Sequence, residues 1–294
     1  MTLNEYQQSS AATDASEISK NSDLSVLLLG LAGETGSLLT LYKKWLRDGD
    51  AYQIVEARLS EEMGDILWYL AAIARRRGLS LEAIASANLV KTSGRWLKED
   101  DEPLFDEGRD ALECLPRTFV AELRDGQDEE GRSVMRMSLN DEPLGAELTD
   151  NAHDPDGYRF HDILHLSLAA NLGWSPVIRA LLKKKRKSDA KLDEIEDGGR
   201  AIAIEEGIAA LIFTYAAQHS MLDGVTTIDW GTLRTCTAMT AGLEVRSKPL
   251  FAWERAILSA FAAWRDAIRN GGVRLRGDLV RHRLDFEPLN EARP

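Results

Sequence analysis

The hydrophobic period of the chain changes near residue 117 and changes back near residue 160, and this constrains the fold more than any single motif. Before 117 the apolar residues recur at helical spacing. In "TFVAELRDGQDEEGRSVMRMSLN" (118–140) they alternate with polar residues on both sides of a Gly-containing turn, the signature of an antiparallel hairpin with a fairly long loop. Side chains that alternate across a strand cannot line one helical face, so a purely helical bundle is excluded. "PLGAELT" offers a third short strand, and "GGVRLRGDLVRHRLDFEPL" at the end alternates again, as a strand pair or a tail packed on the body.

Within the first hundred residues four helices are readable. The first spans about 3–20. The second runs from about Leu24 to Arg47, capped by Asp23 or Ser25 and broken by "RDGD"; the third runs from about Tyr52 to Arg77, closed by Gly78. The fourth starts at Ser80 as N-cap, with Leu81, Ile84, Ala85 and Leu89 as its apolar stripe. "EDDEPLFDEG" (99–108) reads as an acidic linker, and from Phe160 helical periods return until about Asn270. The expected division is therefore 1–98, a linker with β-hairpin or meander over 99–156, and a helical domain over 157–294. "EEMGDILWYLAAIA" (61–74) and "EEGIAALIFTYAAQ" (205–218) echo one another, as a degenerate tandem repeat would.

The 294 residues carry a formal charge of −12, which argues against broad attraction to nucleic acid or anionic membrane and means that an anionic substrate needs a local cation. Two distant cysteines support neither a disulfide framework nor a zinc ribbon, and a reducing compartment fits. No apolar run approaches the roughly 18 residues of a membrane span, and the start has no signal-peptide core. A soluble, unprocessed, cytoplasmic protein is expected.

The chemistry concentrates on two helices. Glu62 and Asp65 lie three apart and Glu61 lies four before Asp65, so three carboxylates share about one turn. Like charges a few ångströms apart repel by about 4 kcal/mol at an effective dielectric near 20, and such a cluster wants a cation or a proton. Magnesium, a hard ion held by one or two carboxylates plus water and substrate phosphates, is the natural occupant. Glu34, in "LAGETGSLLTLYKKW" (31–45), sits on the side that Leu31, Leu38, Leu41 and Trp45 would turn inward. It becomes useful if it faces the Glu62/Asp65 turn, with Gly33 and Gly36 permitting close approach. The plainer reading makes Glu61 and Glu62 first-turn residues favoured by the helix dipole and leaves Glu34 exposed.

"GLAGETGSLLTLYKK" followed by "EEMGDILWYLAAIARRRGLSLEAIASANLVKTSGRW" resembles the MazG-like, all-α nucleoside triphosphate pyrophosphohydrolase family, and "LNEYQQ" is similar to that family's first helix. The resemblance covers about residues 3–98. It implies a four-helix domain in which a Glu-x-x-Glu pair and a Glu-x-x-Asp pair bind magnesium, or manganese, and activate water for attack on a triphosphate. Glu34, Glu62 and Asp65 match metal-binding acids, and Ser37 stands where the family has its second glutamate. Glu61 is a further catalytic candidate that can compensate. Asn88, Lys91 and Arg95 match substrate-contacting positions, the two cations neutralising phosphates. Trp45 and Trp68 are candidates for stacking on a base, although tryptophan at helical spacing is more often core.

What the resemblance implies is conversion of a canonical or modified nucleoside triphosphate to the monophosphate and pyrophosphate, by a homo-oligomer or by an intrachain pseudo-dimer. A nucleotide sensor with little turnover is the alternative that Ser37 raises. The second half, with "KKKRKSD" and "EDGGRAIAIEEGIAALIF", resembles the C-terminal region that accompanies some MazG-like proteins. Lys183 to Lys187 is either a solvated helix end or a phosphate or nucleic-acid contact. His161, Asp162 and His165 share one helical turn, and the two histidines, four apart, are able to point at one metal ion; a carboxylate-bonded core histidine is the competing reading.

Overall fold

The computed structural model describes residues 1–14, 24–49, 56–96 and 103–289, leaving aside the side chains of 90, 91 and 93–96. The described chain divides into two compact units, Met1–Ser93 and Gly94–Pro294.

The first unit is helical: α1 (Leu3–Ser9), α2 (Leu24–Asp48), α3 (Glu56–Arg76) and α4 (Leu81–Trp96). Thr2 opens α1 with a reciprocal capping box to Glu5, and the Ser80 hydroxyl accepts from the Ala83 amide at the start of α4. Gln7 ties α1 to the turn between α3 and α4, donating to the Leu79 carbonyl and accepting from the Leu81 amide, both at 2.8 Å. Arg75 holds the chain beyond α1, donating to the Gln7 carbonyl (2.8 Å), to Ser10 Oγ (2.6 Å) and to buried Asp14 (3.0 Å). The first helix is shorter than the sequence suggests, since Ser10–Thr13 tightens into a 3₁₀ turn; residues 15–20 and the proposed cap Asp23 lie outside the described residues.

The α2–α3 packing has a contact that sets its register. A β-carbon on Gly30 would stand 2.2 Å from the Tyr69 ring, so Gly30 lies directly beneath that side chain. With these two residues level to within about a turn, a parallel pair would put Asp48 and Glu56 more than about 40 Å apart at 1.5 Å per residue. Residues 49–55 reach at most about 29 Å, so the helices run antiparallel. Gly33 and Gly36 do not serve close approach of a neighbouring helix, because a β-carbon at either would meet nothing within 4 Å. Gly30→Ala is expected to destabilise the unit by about 1 kcal/mol or more, because overpacking exceeds the helix-propensity gain. In a Tyr69→Ala background the same change should become stabilising, a reversal that urea unfolding of the four variants would reveal.

One expectation fails on α2. Glu34 is its sole charged residue from Leu24 to Tyr42, and by length and composition this helix is apolar enough to cross a membrane. Interspersed Gly, Ser and Thr break up the run to the eye while barely lowering its apolar character. Leu27 and Leu41 are buried, but Leu29, Leu39 and Leu46 are each more than 60% exposed, and Trp45 faces outward as well.

The second unit is built on one antiparallel sheet of β1 (Thr118–Gln127), β2 (Ser133–Leu139), β3 (Glu142–Leu148), β4 (Gly272–Asp278) and β5 (Arg283–Pro288), in the order β3-β2-β1-β4-β5. Asn140 and Asp141, both with positive φ, make the two-residue turn from β2 to β3. Between β3 and β4 come α5 (Asp162–Leu172), α6 (Pro176–Leu181), α7 (Ala190–Ile195), α8 (Gly199–Ala217), α9 (Trp230–Met239) and α10 (Leu250–Asn270). α10 lies against β4, β5 and α5, and every residue of α5 is buried. α10 ends in left-handed Gly271 (φ 68°) and passes straight into β4.

This architecture corrects three expectations. The protein is mostly helical, but its second part is a mixed unit whose strands 118–148 pair with 272–288 in one sheet, so the hairpin is not an insertion between domains. A repeat of the first unit does not account for such a sheet, and the 61–74 and 205–218 echo is a likeness between α3 and α8 alone. The acidic stretch is not a solvated linker where it is described: Asp106 is 1% exposed, bonded to Arg179 (2.6 Å), Arg117 (2.6 Å) and the Leu115 amide. Burial opposes ionisation of Asp106, but the Leu115 amide and the two arginines outweigh it and hold its carboxyl below the usual range.

Candidate functional site

Glu34 and Ser37 are carried by α2, Glu61, Glu62 and Asp65 by α3, and Asn88, Lys91 and Arg95 by α4. The Gly30–Tyr69 contact fixes how the first two sets meet. One turn onward from Gly30 is Glu34 and one turn back from Tyr69 is Asp65; since the far end of the Tyr69 ring, which leans toward the start of α3, is what covers Gly30, Glu34 and Ser37 lie opposite the Glu61–Asp65 segment to within about one turn. Glu34, Ser37 and Glu62 are half-buried, while Glu61 and Asp65 are exposed.

None of the four acids has a hydrogen bond or ion pair through its side chain among the described residues. The contrast within the unit is Asp14, which is bound to Arg75 at 3.0 Å and lies 3.9 Å from Arg76. Glu34, Glu61, Glu62 and Asp65 are therefore uncommitted donors of hard oxygen, the type that magnesium takes. Asn88 is exposed; the side chains of Lys91 and Arg95 lie outside the described residues. Trp68 donates its indole N–H to Thr13 Oγ1 (2.8 Å) and packs edge-on against Tyr69, and Trp45 lies beside Tyr42, so both tryptophans have protein partners.

In the second unit His161 stands at the start of α5, His165 one turn later, and Glu205 and Glu206 are within α8. His165 is fully buried. Its Nδ1 lies 2.8 Å from Glu205 Oε1, and Glu205 is further held by Ser175 Oγ (2.7 Å) and the Val177 amide (2.9 Å). Its Nε2 lies 3.4 Å from Glu206 Oε2 yet makes no hydrogen bond there. Burial alone would lower the pKa of His165, but the charge and hydrogen bond of Glu205, reinforced by Glu206 and Asp162, hold it up to about 10. His161 Nδ1 is bonded to the Tyr158 carbonyl (2.9 Å), with Tyr158 stacked on its ring. Its Nε2 is 3.9 Å from Glu206 Oε2 and 3.8 Å from Asp162 Oδ1. His161, His165 and Glu206 are the one set of three such residues, among those described, whose ligand atoms converge to within 4.8 Å. The turn of histidines was visible in the sequence; Glu206, forty residues on, had no local signal linking it to them.

The basic run Lys183 to Lys187 follows the C-terminus of α6 directly: Leu182 is the C-cap, Lys183 is left-handed, and the Lys184 amide donates back to the Arg179 carbonyl (2.8 Å). Arg186 is buried, chelating Asp197 through Nε (3.1 Å) and Nη2 (2.8 Å) and meeting Glu244 at 2.7 and 2.9 Å. Lys184 donates to the Ala111 carbonyl. One member of the run is thus taken up inside the unit, and Lys184 is tied down at its surface.

Uncommitted carboxylates on two packed helices of one unit, and a second unit organised around one antiparallel sheet, define a two-unit protein with an acidic helical site. Residues 100–290 match the family model of the MazG C-terminal domain, and the chain belongs to the MazG family as a member with this C-terminal module. The gene 37 protein of Mycobacterium phage L5 is 38% identical over 74 residues, which are 24% of this chain and 65% of that protein. The chain thus spans less than two thirds of that relative's length. No solved structure matches the chain.

Proposed function

We propose that this protein is a magnesium-dependent nucleoside triphosphate pyrophosphohydrolase, releasing pyrophosphate and a nucleoside monophosphate. The observation that supports the reading is the antiparallel packing of α2 on α3, which brings Glu34 within about a turn of the segment carrying Glu62 and Asp65, three positions that match the acidic motif of MazG-like enzymes and whose side chains have no competing partner among the described residues. Family membership through residues 100–290 supports it independently.

In this reading Glu34, Glu62 and Asp65 hold the metal, manganese being able to replace magnesium. The ion supplies charge neutralisation at the phosphates and a more acidic bound water. Glu61, one turn from Asp65 on α3, accepts the proton of the attacking water. Asn88, Lys91 and Arg95, spaced three and four along α4, bind the substrate, the two cations offsetting phosphate charge in a protein of net charge −12. The four-helix arrangement of the first unit, its cytoplasmic location and its association with a second copy belong to the same proposal. Leu29, Leu39 and Leu46, each largely exposed, supply apolar area that such a copy would cover.

Ser37 favours a second reading, a nucleotide sensor that binds without efficient turnover, since a serine hydroxyl adds no negative charge where the family has its second glutamate. The test is a panel of canonical and modified triphosphates with magnesium, products separated by chromatography, for the parent and Ser37→Glu. Monophosphate and pyrophosphate from the parent, with a rate rising about tenfold or more in Ser37→Glu, is the expected result. Nucleotide bound but returned intact by both proteins overturns hydrolysis in favour of sensing.

A further inference from the structure

We propose that His161, His165 and Glu206 form a binding site for a zinc-type divalent transition metal in the second unit, separate from the acidic site of the first. Zinc and its neighbours among the transition metals accept imidazole nitrogen together with carboxylate oxygen, whereas magnesium takes oxygen alone.

The two imidazoles are each held by an outer partner. In each ring Nδ1 is engaged by a protein oxygen, the Tyr158 carbonyl for His161 and the Glu205 carboxylate for His165. Such an outer partner fixes the orientation of each ring and directs Nε2 at one point; at His165 a metal would take the place of the Nε2 proton that Glu205 and Glu206 retain on the ring in its absence. Glu205 is itself fastened by Ser175 and Val177, so it orients His165 and is not a ligand. The Nε2 of His165 is buried and makes no hydrogen bond, an uncommon condition for a polar atom in a protein interior.

The spacing suits the ion. Ligands about 2.0–2.1 Å from a tetrahedral zinc stand about 3.3 Å from one another. The observed separations from Glu206 Oε2 are 3.4 Å to His165 Nε2 and 3.9 Å to His161 Nε2. Closing the second gap requires a few tenths of an ångström from Glu206, whose side chain is 43% exposed and free to adjust. Three protein ligands leave a fourth position, which Asp162, 3.8 Å from His161 Nε2, or a water can fill. Phe160, Leu164, Phe213 and Trp264 line an apolar hollow together with His161, so a ligand at the fourth position would meet an apolar wall on one side.

The experiment is titration of the full chain with Co²⁺ in excess Mg²⁺, read by the visible absorption of four- or five-coordinate cobalt, with zinc content measured by elemental analysis after dialysis. Asp65→Ala, His161→Ala and Glu206→Gln are compared with the parent. His161 and Glu206 are partly exposed, which makes these two safer than His165→Ala, and circular dichroism checks that each variant is folded. One equivalent bound by the parent and by Asp65→Ala, with affinity weakened at least about tenfold in His161→Ala and Glu206→Gln, is expected. A parent without the cobalt band and without retained zinc overturns the proposal, and so does binding that neither substitution weakens. Neither result bears on triphosphate hydrolysis.

Discussion

Asp65→Ala should lose triphosphate hydrolysis by at least about a hundredfold while unfolding at the same or slightly higher denaturant concentration. A hundredfold is about 2.7 kcal/mol of transition-state stabilisation, within the several kcal/mol that a correctly held metal provides in phosphoryl chemistry. The stability half of the prediction follows from the site. Asp65 is exposed and its side chain has no partner among the described residues, so truncating it removes no native contact. It also relieves the repulsion of Glu61 four residues earlier, worth a few tenths of a kcal/mol. Activity and stability should therefore separate, and Glu62→Ala should behave alike. Chromatographic assay of monophosphate and pyrophosphate, beside urea unfolding of the same preparations, provides the check. Retention of full activity by both variants would sink the assignment of the acids on α3.

Arg186→Met should have the largest effect on stability, about 3–5 kcal/mol, the range for removing one partner of a buried ion pair. Arg186 is buried and makes two contacts each to Asp197 and to Glu244, and Asp197 is buried as well. Methionine fills much of the volume but leaves those carboxylates without that cation. Burial pushes Glu244 above the usual carboxylate range even with Arg186 present, and Arg186 pulls it back. Without the arginine the balance shifts further toward the neutral acid. The unfolding midpoint, followed through buried Trp174 and Trp253, would report the loss. A midpoint unchanged in Arg186→Met would mean that the network contributes nothing net, and would return the basic run to the surface role its sequence suggests. Lys183→Met, in the same run, should cost far less.

The parts of this architecture that were legible are those with a strong local period. α2, α3 and α4 were readable to within a few residues, as were the β1–β2 hairpin and the strand pair near the end, because in each the apolar spacing matches one geometry and Gly or Ser marks a boundary. What local pattern could not convey was pairing at a distance. The alternation of 118–127 does not say that its neighbour is 272–278, and the acidity of 99–108 hides that Asp106 has Arg179 waiting for it. The glycines of α2 show the same limit. Gly33 and Gly36 flank the glutamate and looked functional, yet it is Gly30, less conspicuous in the sequence, on which Tyr69 rests. The acids of the candidate site were found because three lie within one turn, and Glu34 was joined to them first by its place on the side of α2 expected to face that turn and then by resemblance. Glu206 reaches the histidines only through tertiary packing.

The seam between β1 and β4 has a consequence for how the chain is made. β1 is the middle strand of the sheet, and one of its two edges is closed by a strand that begins at Gly272. A nascent chain emerging in order presents β1, β2 and β3 as a meander with an open edge, and must then emit all six helices of the second unit before that edge finds its partner. Pairings over such sequence distance form slowly, and an unpaired edge is what invites association between incomplete chains. The helices of the first unit, whose contacts are nearby in sequence, can be in place well before. Synthesis thus leaves the second unit exposed for longest, and its closure waits on residues 272–288.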